Sequence, residues 1–190
     1  MSDVSASPPQ ECDFVWEKIA RRIRVPLGFV FAVVYVWLAH PTSNSLVIGT
    51  LIILPGLVIR GLASGHVKKN EQLTTSGPYS YTRNPLYLGS LMLGAGFAVA
   101  ARSWWIVGIM LLMFAAIYIP VIASEERYLK NTFAEYEEYA RHVPRLLPRM
   151  TPHHSSKGAF SSALYWKHRE YQAALGSAAL IAILIMKLVW

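Results

Sequence analysis

Charge is scarce in this chain and cysteine is almost absent. Charged residues fill 15% of the 190 positions, where soluble domains carry about 25%. The one cysteine, Cys12, excludes an intrachain disulfide and any cysteine-rich metal centre. No HExxH, P-loop, GxGxxG or GxSxG motif occurs. His153, His154 and His168 lack a metal-ligand spacing. Between Arg24 and Arg60 there is no Lys, Arg, Asp or Glu at all. Together these absences exclude a disulfide scaffold, a disordered chain and an ordinary soluble enzyme.

Apolar residues take that space. They make up 54% of the sequence, and the mean hydropathy is +0.33. The expectation is an all-α integral membrane protein of one domain. A net charge of +7 in so apolar a chain points to lipid headgroups as partner, not to nucleic acid.

Gaps in the charge pattern place the spans. The uncharged stretch 25–59 is too long for one span of about 20 residues. His40-Pro41-Thr42-Ser43-Asn44 breaks it with turn-forming residues. Helices are expected at 26–40 and 45–62. Arg102 separates two further apolar stretches, giving helices at 86–101 and 103–123. A fifth, 171–188, ends with Lys187 and Trp190, both suited to an interface. Residues 1–24 read as a loose basic segment, and 25–190 as the membrane domain.

Five spans put sixteen of the 18 Lys and Arg on one face. Only Arg102 and Lys187 fall on the other. By the positive-inside rule that face and the N-terminus are cytoplasmic.

Two polar segments remain there, 64–85 and 124–150. In the first, Gly77-Pro78 is a turn signal, and Pro85 suits the first turn of a helix. Tyr79, Tyr81 and Tyr87 are rings suited to the interface. In the second, Glu125 and Glu126 stand at the end of an apolar helix, where carboxylates oppose the macrodipole. That placement suggests a cation to hold. Leu129, Phe133, Tyr136 and Tyr139 recur at helical steps, so one amphipathic helix is expected from Tyr128 to Arg141. Pro144 and Pro148 should leave 143–148 extended.

The blocks GPYSYTRNPLYLG and EERYLKNTFAEYEEYARHVPRLLPR resemble the isoprenylcysteine carboxyl methyltransferase family. That family forms a wider group with phospholipid N-methyltransferases. Gly77, Tyr79, Arg83, Pro85, Tyr87 and Gly89 match its first motif. Glu125, Glu126, Leu129, Phe133, Tyr136 and Tyr139 match the second. Val143, Arg145, Leu146 and Pro148 match the third. The upstream GHVKKNEQL is also similar. Two positions depart: Asn84 stands where the family has His, and Ala134 where it has Gly.

The resemblance implies methyl transfer from S-adenosylmethionine to an amphiphile at the cytoplasmic membrane face. It implies that Glu125 and Glu126 take the cofactor's amino group or ribose hydroxyls. Tyr79 or Tyr87 would face the sulfonium, and His66, Lys69 and Gln72 would reach its polar ends. Leu73 and Pro85 belong to the same matched segments. Gly77 would admit close backbone approach, and Arg83 would pair with the cofactor's carboxylate or with the glutamates. Arg145 would reach an acceptor carboxylate, and Arg83, Asn84 and Tyr87 would stand beside the reacting atoms. Asn84 cannot take a proton, which favours carboxylate, thiolate or neutral acceptors. The alternatives are a lipid-amine N-methyltransferase, a sterol-type membrane reductase that uses a nicotinamide dinucleotide, and a scaffold without activity.

Overall fold

A computed structural model describes residues 28, 30–68, 72–153 and 158–190. The expected loose segment 1–24, and Lys69, lie outside the described residues. The chain is an all-α integral membrane protein, with no strand among the described residues. Three of its helices are long and apolar enough to cross a bilayer, and a fourth is apolar but shorter.

Helix α1 covers residues 30–38. Helix α2 runs Ser43–His66 and starts at a reciprocal cap. Ser45 N donates to Thr42 Oγ1 at 3.3 Å, and Thr42 N donates to Ser45 Oγ at 2.9 Å. This satisfies two amides that a helix start leaves orphaned. A one-turn 3-10 helix, Gly77–Ser80, interrupts the connection to α3. Helix α3 is Pro85–Ala101, with proline at its first position. Arg102 closes it in the left-handed conformation, φ 51°, so the turn into α4 is tight.

Helix α4 (Trp104–Met113) passes through a π turn, Phe114–Tyr118, into helix α5 (Ile119–Thr132). Pro120 supplies the reason for the wide turn. It has no N–H, and its ring would clash with a carbonyl one turn back in a regular helix. The three pieces act as one helix of 29 residues. Helices α6 (Tyr136–His142), α7 (Ser162–Lys167) and α8 (Tyr171–Val189) complete the chain.

The elements differ from expectation at α7, which no expected helix covers, and in the stretch after Ser124. The sequence pattern predicts a fourth span that ends near 123 and a new helix from Tyr128 to Arg141. Instead α5 runs unbroken through Glu125 and Glu126 to Thr132, and Phe133 is extended before α6 begins. Glu, Arg, Leu and Lys are strong helix formers. Loss of apolarity at Ser124 therefore marks departure from the bilayer and not the end of the helix.

Helices α2 and α3 form the most extensive helix contact, and glycine makes it possible. A Cβ on Gly49 would lie 2.5 Å from Gly96 O, and one on Gly56 would lie 3.0 Å from Gly89 O. The two pairs are related by antiparallel register, one heptad apart on each helix. Small residues allow backbones to approach where no hydrophobic force drives helices together in lipid. Beyond α3, Tyr35 of α1 is buried and donates to Phe97 O at 2.9 Å. Lys187 Nζ donates to Val36 O and Trp37 O, capping the end of α1. Val33, Trp37, Leu51, Trp104, Trp105 and Leu112 stay exposed, as lipid-facing side chains do.

The ends of α1, α3 and α8 therefore share one side, with Arg102 and Lys187. The end of α2, the start of α3, the end of α5, and α6 and α7 share the other. The remaining described cations lie there.

Candidate active site at the polar end of the bundle

The site is built by folding the two polar segments onto each other. Residues after α6 run back along the residues before α3. Arg83 N donates to Pro144 O at 2.9 Å, Arg149 N to Tyr81 O at 3.0 Å, and His153 N to Ser80 O at 3.0 Å. The buried Thr82 hydroxyl donates to Leu146 O at 3.0 Å. This strap carries Arg145 to Asn84.

An aromatic cluster seats the strap. Tyr136, Tyr139 and Val143 are buried, with Leu73, Leu129 and Phe133 packed around them. Tyr139 donates its hydroxyl to Tyr79 O at 2.7 Å. Burial pushes the Tyr79 and Tyr139 hydroxyls well above the usual tyrosine range. Burial also raises Tyr136, with Glu126 adding to the shift and Arg83 opposing it. All three stay neutral at any ordinary pH and act as hydrogen-bonding groups.

Glu126 is the centre of the polar cluster. Its Oε1 accepts from Asn84 Nδ2 at 3.0 Å and faces Arg83 Nη1 at 3.7 Å. Its Oε2 pairs with Arg145 Nε at 2.9 Å. Asn84 Nδ2 also donates to Arg145 O at 2.9 Å. Arg83 Nη1 donates to the Tyr136 hydroxyl at 3.4 Å. Asn84 is 8% exposed, and the Glu126 side chain 15%, so these are partly desolvated, charge-assisted contacts. Arg83 Nε is buried without a partner, a donor that costs free energy until something accepts from it. An open cavity of about 500 Å³ begins here, lined by Arg83, Glu126, Arg127, Lys130, Tyr136 and Arg141.

The other expected site residues fall in separate places. Glu125 precedes Glu126 by about 100° of helix rotation. It is exposed, and its negative charge adds to the burial that raises the Tyr79 hydroxyl. Tyr87 meets Tyr118 of the π turn edge-on at 5.7 Å. His66, Gly77 and Pro85 line a second, apolar cavity of about 430 Å³ with Ile59, Leu62, Tyr81, Leu88 and Pro148. Gly77 has φ +59°, and a Cβ there would lie 2.7 Å from the His66 ring, so only glycine suits it. Gln72 is exposed, and Leu73 belongs to the aromatic cluster.

Thus Arg83, Asn84, Glu126 and Arg145 converge, Tyr79, Tyr87 and Glu125 lie on a neighbouring face, and His66 joins the apolar cavity. Three residues escaped the sequence reading. Tyr118 sits in a π turn that Pro120 alone hints at. Arg60 and Glu170 form an ion pair at 2.9 Å, and a contact across 110 positions leaves no local pattern. Among the described residues no group of three or more His, Cys, Asp or Glu converges as metal ligands do.

Comparison with known proteins gives the chain's relatives. The chain is 40% identical over 84 residues to the cobalt-zinc-cadmium resistance protein CzcN of Cupriavidus metallidurans, covering 44% of this chain and 39% of that one. It is 37% identical, with the same coverage, to the nickel-cobalt-cadmium resistance protein NccN of Alcaligenes xylosoxydans xylosoxydans. It is 26% identical over 142 residues to the protein-S-isoprenylcysteine O-methyltransferase of Schizosaccharomyces pombe, covering 69% of this chain and 58% of that one. The chain thus spans about two fifths to three fifths of the length of these relatives. No solved structure matches. The family model described as phospholipid methyltransferase matches residues 27–136. That is more than half of the chain, and it includes Arg83, Asn84 and Glu126, so the protein belongs to the phospholipid methyltransferase family.

Proposed function

We propose that this protein transfers a methyl group from S-adenosylmethionine to the nucleophilic head of an amphiphile, a carboxylate such as that of a prenylated cysteine fitting best. The observation that carries this reading is the Glu126 cluster, in which Arg83, Asn84 and Arg145 converge on one carboxylate beside an open cavity.

The residues suit the cofactor, which carries a carboxylate, an amino group and a sulfonium. The unsatisfied Arg83 Nε suits a carboxylate, Glu125 and Glu126 suit the amino group or ribose hydroxyls, and Tyr79 or Tyr87 suits the sulfonium. Whereas His66, Gly77 and Pro85 line the separate apolar cavity, Leu73, packed on the aromatic cluster, belongs to the cofactor's side in this reading. Bound there, the cofactor supplies an electrophilic methyl group and a good leaving group.

The chain's own part is alignment, which can supply about 7–11 kcal/mol of a barrier. Arg145 binds Glu126 through Nε, which leaves its Nη groups for an acceptor carboxylate. Asn84 uses both amide hydrogens on Glu126 and Arg145 O, so it is a strut and not a base. A carboxylate acceptor is already ionised at neutral pH, and no proton has to move. The apolar cavity beside Pro85 suits the acceptor's tail, entering from the bilayer, with the cofactor entering from the cytoplasm. A second reading, methylation of a lipid amine, is favoured by the description of the matched family model. It requires the amine to arrive neutral.

Calorimetry on the detergent-purified protein tests the reading. S-adenosylmethionine should bind and a nicotinamide dinucleotide should not. Binding of the dinucleotide alone would turn the assignment to a reductase. Binding of neither to a folded sample would remove it.

A further inference from the structure

The final helix lies outside the region that the family model matches, 27–136, yet it is not merely one more span. The residues that lead into it, α7 and its two caps, are keyed to the end of α2. Ser161 N donates to Gly65 O at 2.9 Å, and His168 Nδ1 donates to Ser64 O at 3.1 Å. Tyr165 rests over Gly61. At the centre of this dock, Glu170 meets Arg60 with both carboxylate oxygens, Oε2 to Nε at 3.1 Å and Oε1 to Nη2 at 2.9 Å. The side chains are 22% and 11% exposed for Arg60 and Glu170.

Arg60 uses its remaining nitrogen on α3. Nη1 donates to Ser90 Oγ at 2.5 Å and to Leu86 O at 3.5 Å, and Ser90 Oγ itself donates to Leu86 O. Its stem lies flat over Gly89, where a Cβ would come within 2.5 Å of Arg60 Cγ. The guanidinium therefore holds the first turn of α3, whose amides Tyr87 N and Leu88 N donate to Asn84 O. That turn presents Asn84 to Glu126, and Tyr87 to the Tyr79 face. A planar guanidinium locked by a bidentate carboxylate is a stiffer brace than packing alone.

We propose that Glu170 is a positioning residue of the methyl-transfer site, acting through Arg60 to fix the first turn of α3 and with it Asn84 and Tyr87. The inference rests on the function proposed above and adds to it. The site is completed by the C-terminal element, and cofactor affinity depends on a carboxylate carried by that element.

The test compares Glu170→Gln, Glu170→Asp and Lys187→Met. Lys187 anchors the opposite end of α8 to α1, so its variant reports what loosening the helix does without touching Arg60. Two readouts are used: calorimetric affinity for S-adenosylmethionine, and amide hydrogen exchange at Tyr87 and Leu88. Glu170→Gln should weaken binding on the order of tenfold or more, as small misplacements of aligned groups do, and should speed exchange at both amides. Glu170→Asp should recover most of both, and Lys187→Met should leave both at wild-type values. Wild-type behaviour of Glu170→Gln in both readouts would overturn the proposal. Equal loss in Lys187→Met would also overturn it, by making α8 a mere packing element. If the wild-type protein binds no S-adenosylmethionine, the function proposed above fails, and the exchange readout still decides whether Glu170 braces α3.

Discussion

Glu126 receives an amide from Asn84 and a guanidinium from Arg145, with Arg83 alongside. Four polar groups are partly withdrawn from water, and Arg83 Nε is left without an acceptor. Glu126→Ala should abolish S-adenosylmethionine binding while the helical circular dichroism survives. Retained affinity in a folded variant would refute the assignment. Tyr139→Phe removes the bond to the buried Tyr79 carbonyl and should lower stability by about 1–3 kcal/mol in thermal or denaturant unfolding. The raised tyrosines set a pH dependence. In the unfolded chain Tyr79 and Tyr139 ionise near 10.0, whereas burial keeps them neutral in the fold. Their contribution is thus fully present below pH 10 and is lost as pH rises above it. Unfolding followed from pH 8 upward should show that fall only above about 10, and Tyr139→Phe should shrink it.

The same scale shows what sequence can reveal. Arg83, Glu126 and Arg145 were legible because the motif spacing survives in the chain. Which of two adjacent glutamates points inward was not read, although helix geometry separates them by about 100°. Arg60 entered the sequence reading only as one of the charges that orient the protein, and Glu170 had no role in it. Their pairing depends on how α8 docks, which no local pattern encodes.

Among the elements, α2 and α3 bear the tightest constraint. Gly96→Leu would drive a side chain into Ile53 and Gly49 O, which a Cβ alone meets at 2.6 and 2.7 Å. It should cost at least about 1–3 kcal/mol and displace Asn84 at the head of α3. Gly108→Ala, which meets nothing within 4 Å, should be neutral or mildly stabilising in the same unfolding measurement. The sequence signalled the spans through missing charge but not their packing, since glycine in an apolar run reads equally as a turn or as a close approach. Helix α5 runs past the expected end near 123 because hydropathy reports the membrane boundary, whereas helix propensity continues beyond it. For a related reason Pro120 does not end the span: within the bundle a π turn absorbs the proline instead of a break.

At the scale of the whole molecule, charge separates the two ends. Arg102 and Lys187 lie at one end, and the other described cations gather with the site at the opposite end. That division was open to the sequence because insertion into a bilayer acts on loop charge directly. The positive-inside expectation makes the site end cytoplasmic. With Cys12 replaced by serine, a cysteine at Ser103 should react with a membrane-impermeant maleimide only from outside intact cells. A cysteine at Thr151 should react only in inverted vesicles. The reverse pattern would contradict the orientation.

The central claim is methyl transfer to an amphiphile, and following the methyl group tests it most directly. Membranes holding the wild-type chain or Glu126→Ala would be incubated with S-adenosylmethionine carrying a tritiated methyl group, then extracted with organic solvent. The account predicts tritium in the organic phase that depends on the wild-type chain, grows with added prenylated cysteine and is lost in Glu126→Ala. Folded wild-type protein that leaves all label in the aqueous phase with both carboxylate and lipid-amine acceptors would contradict it.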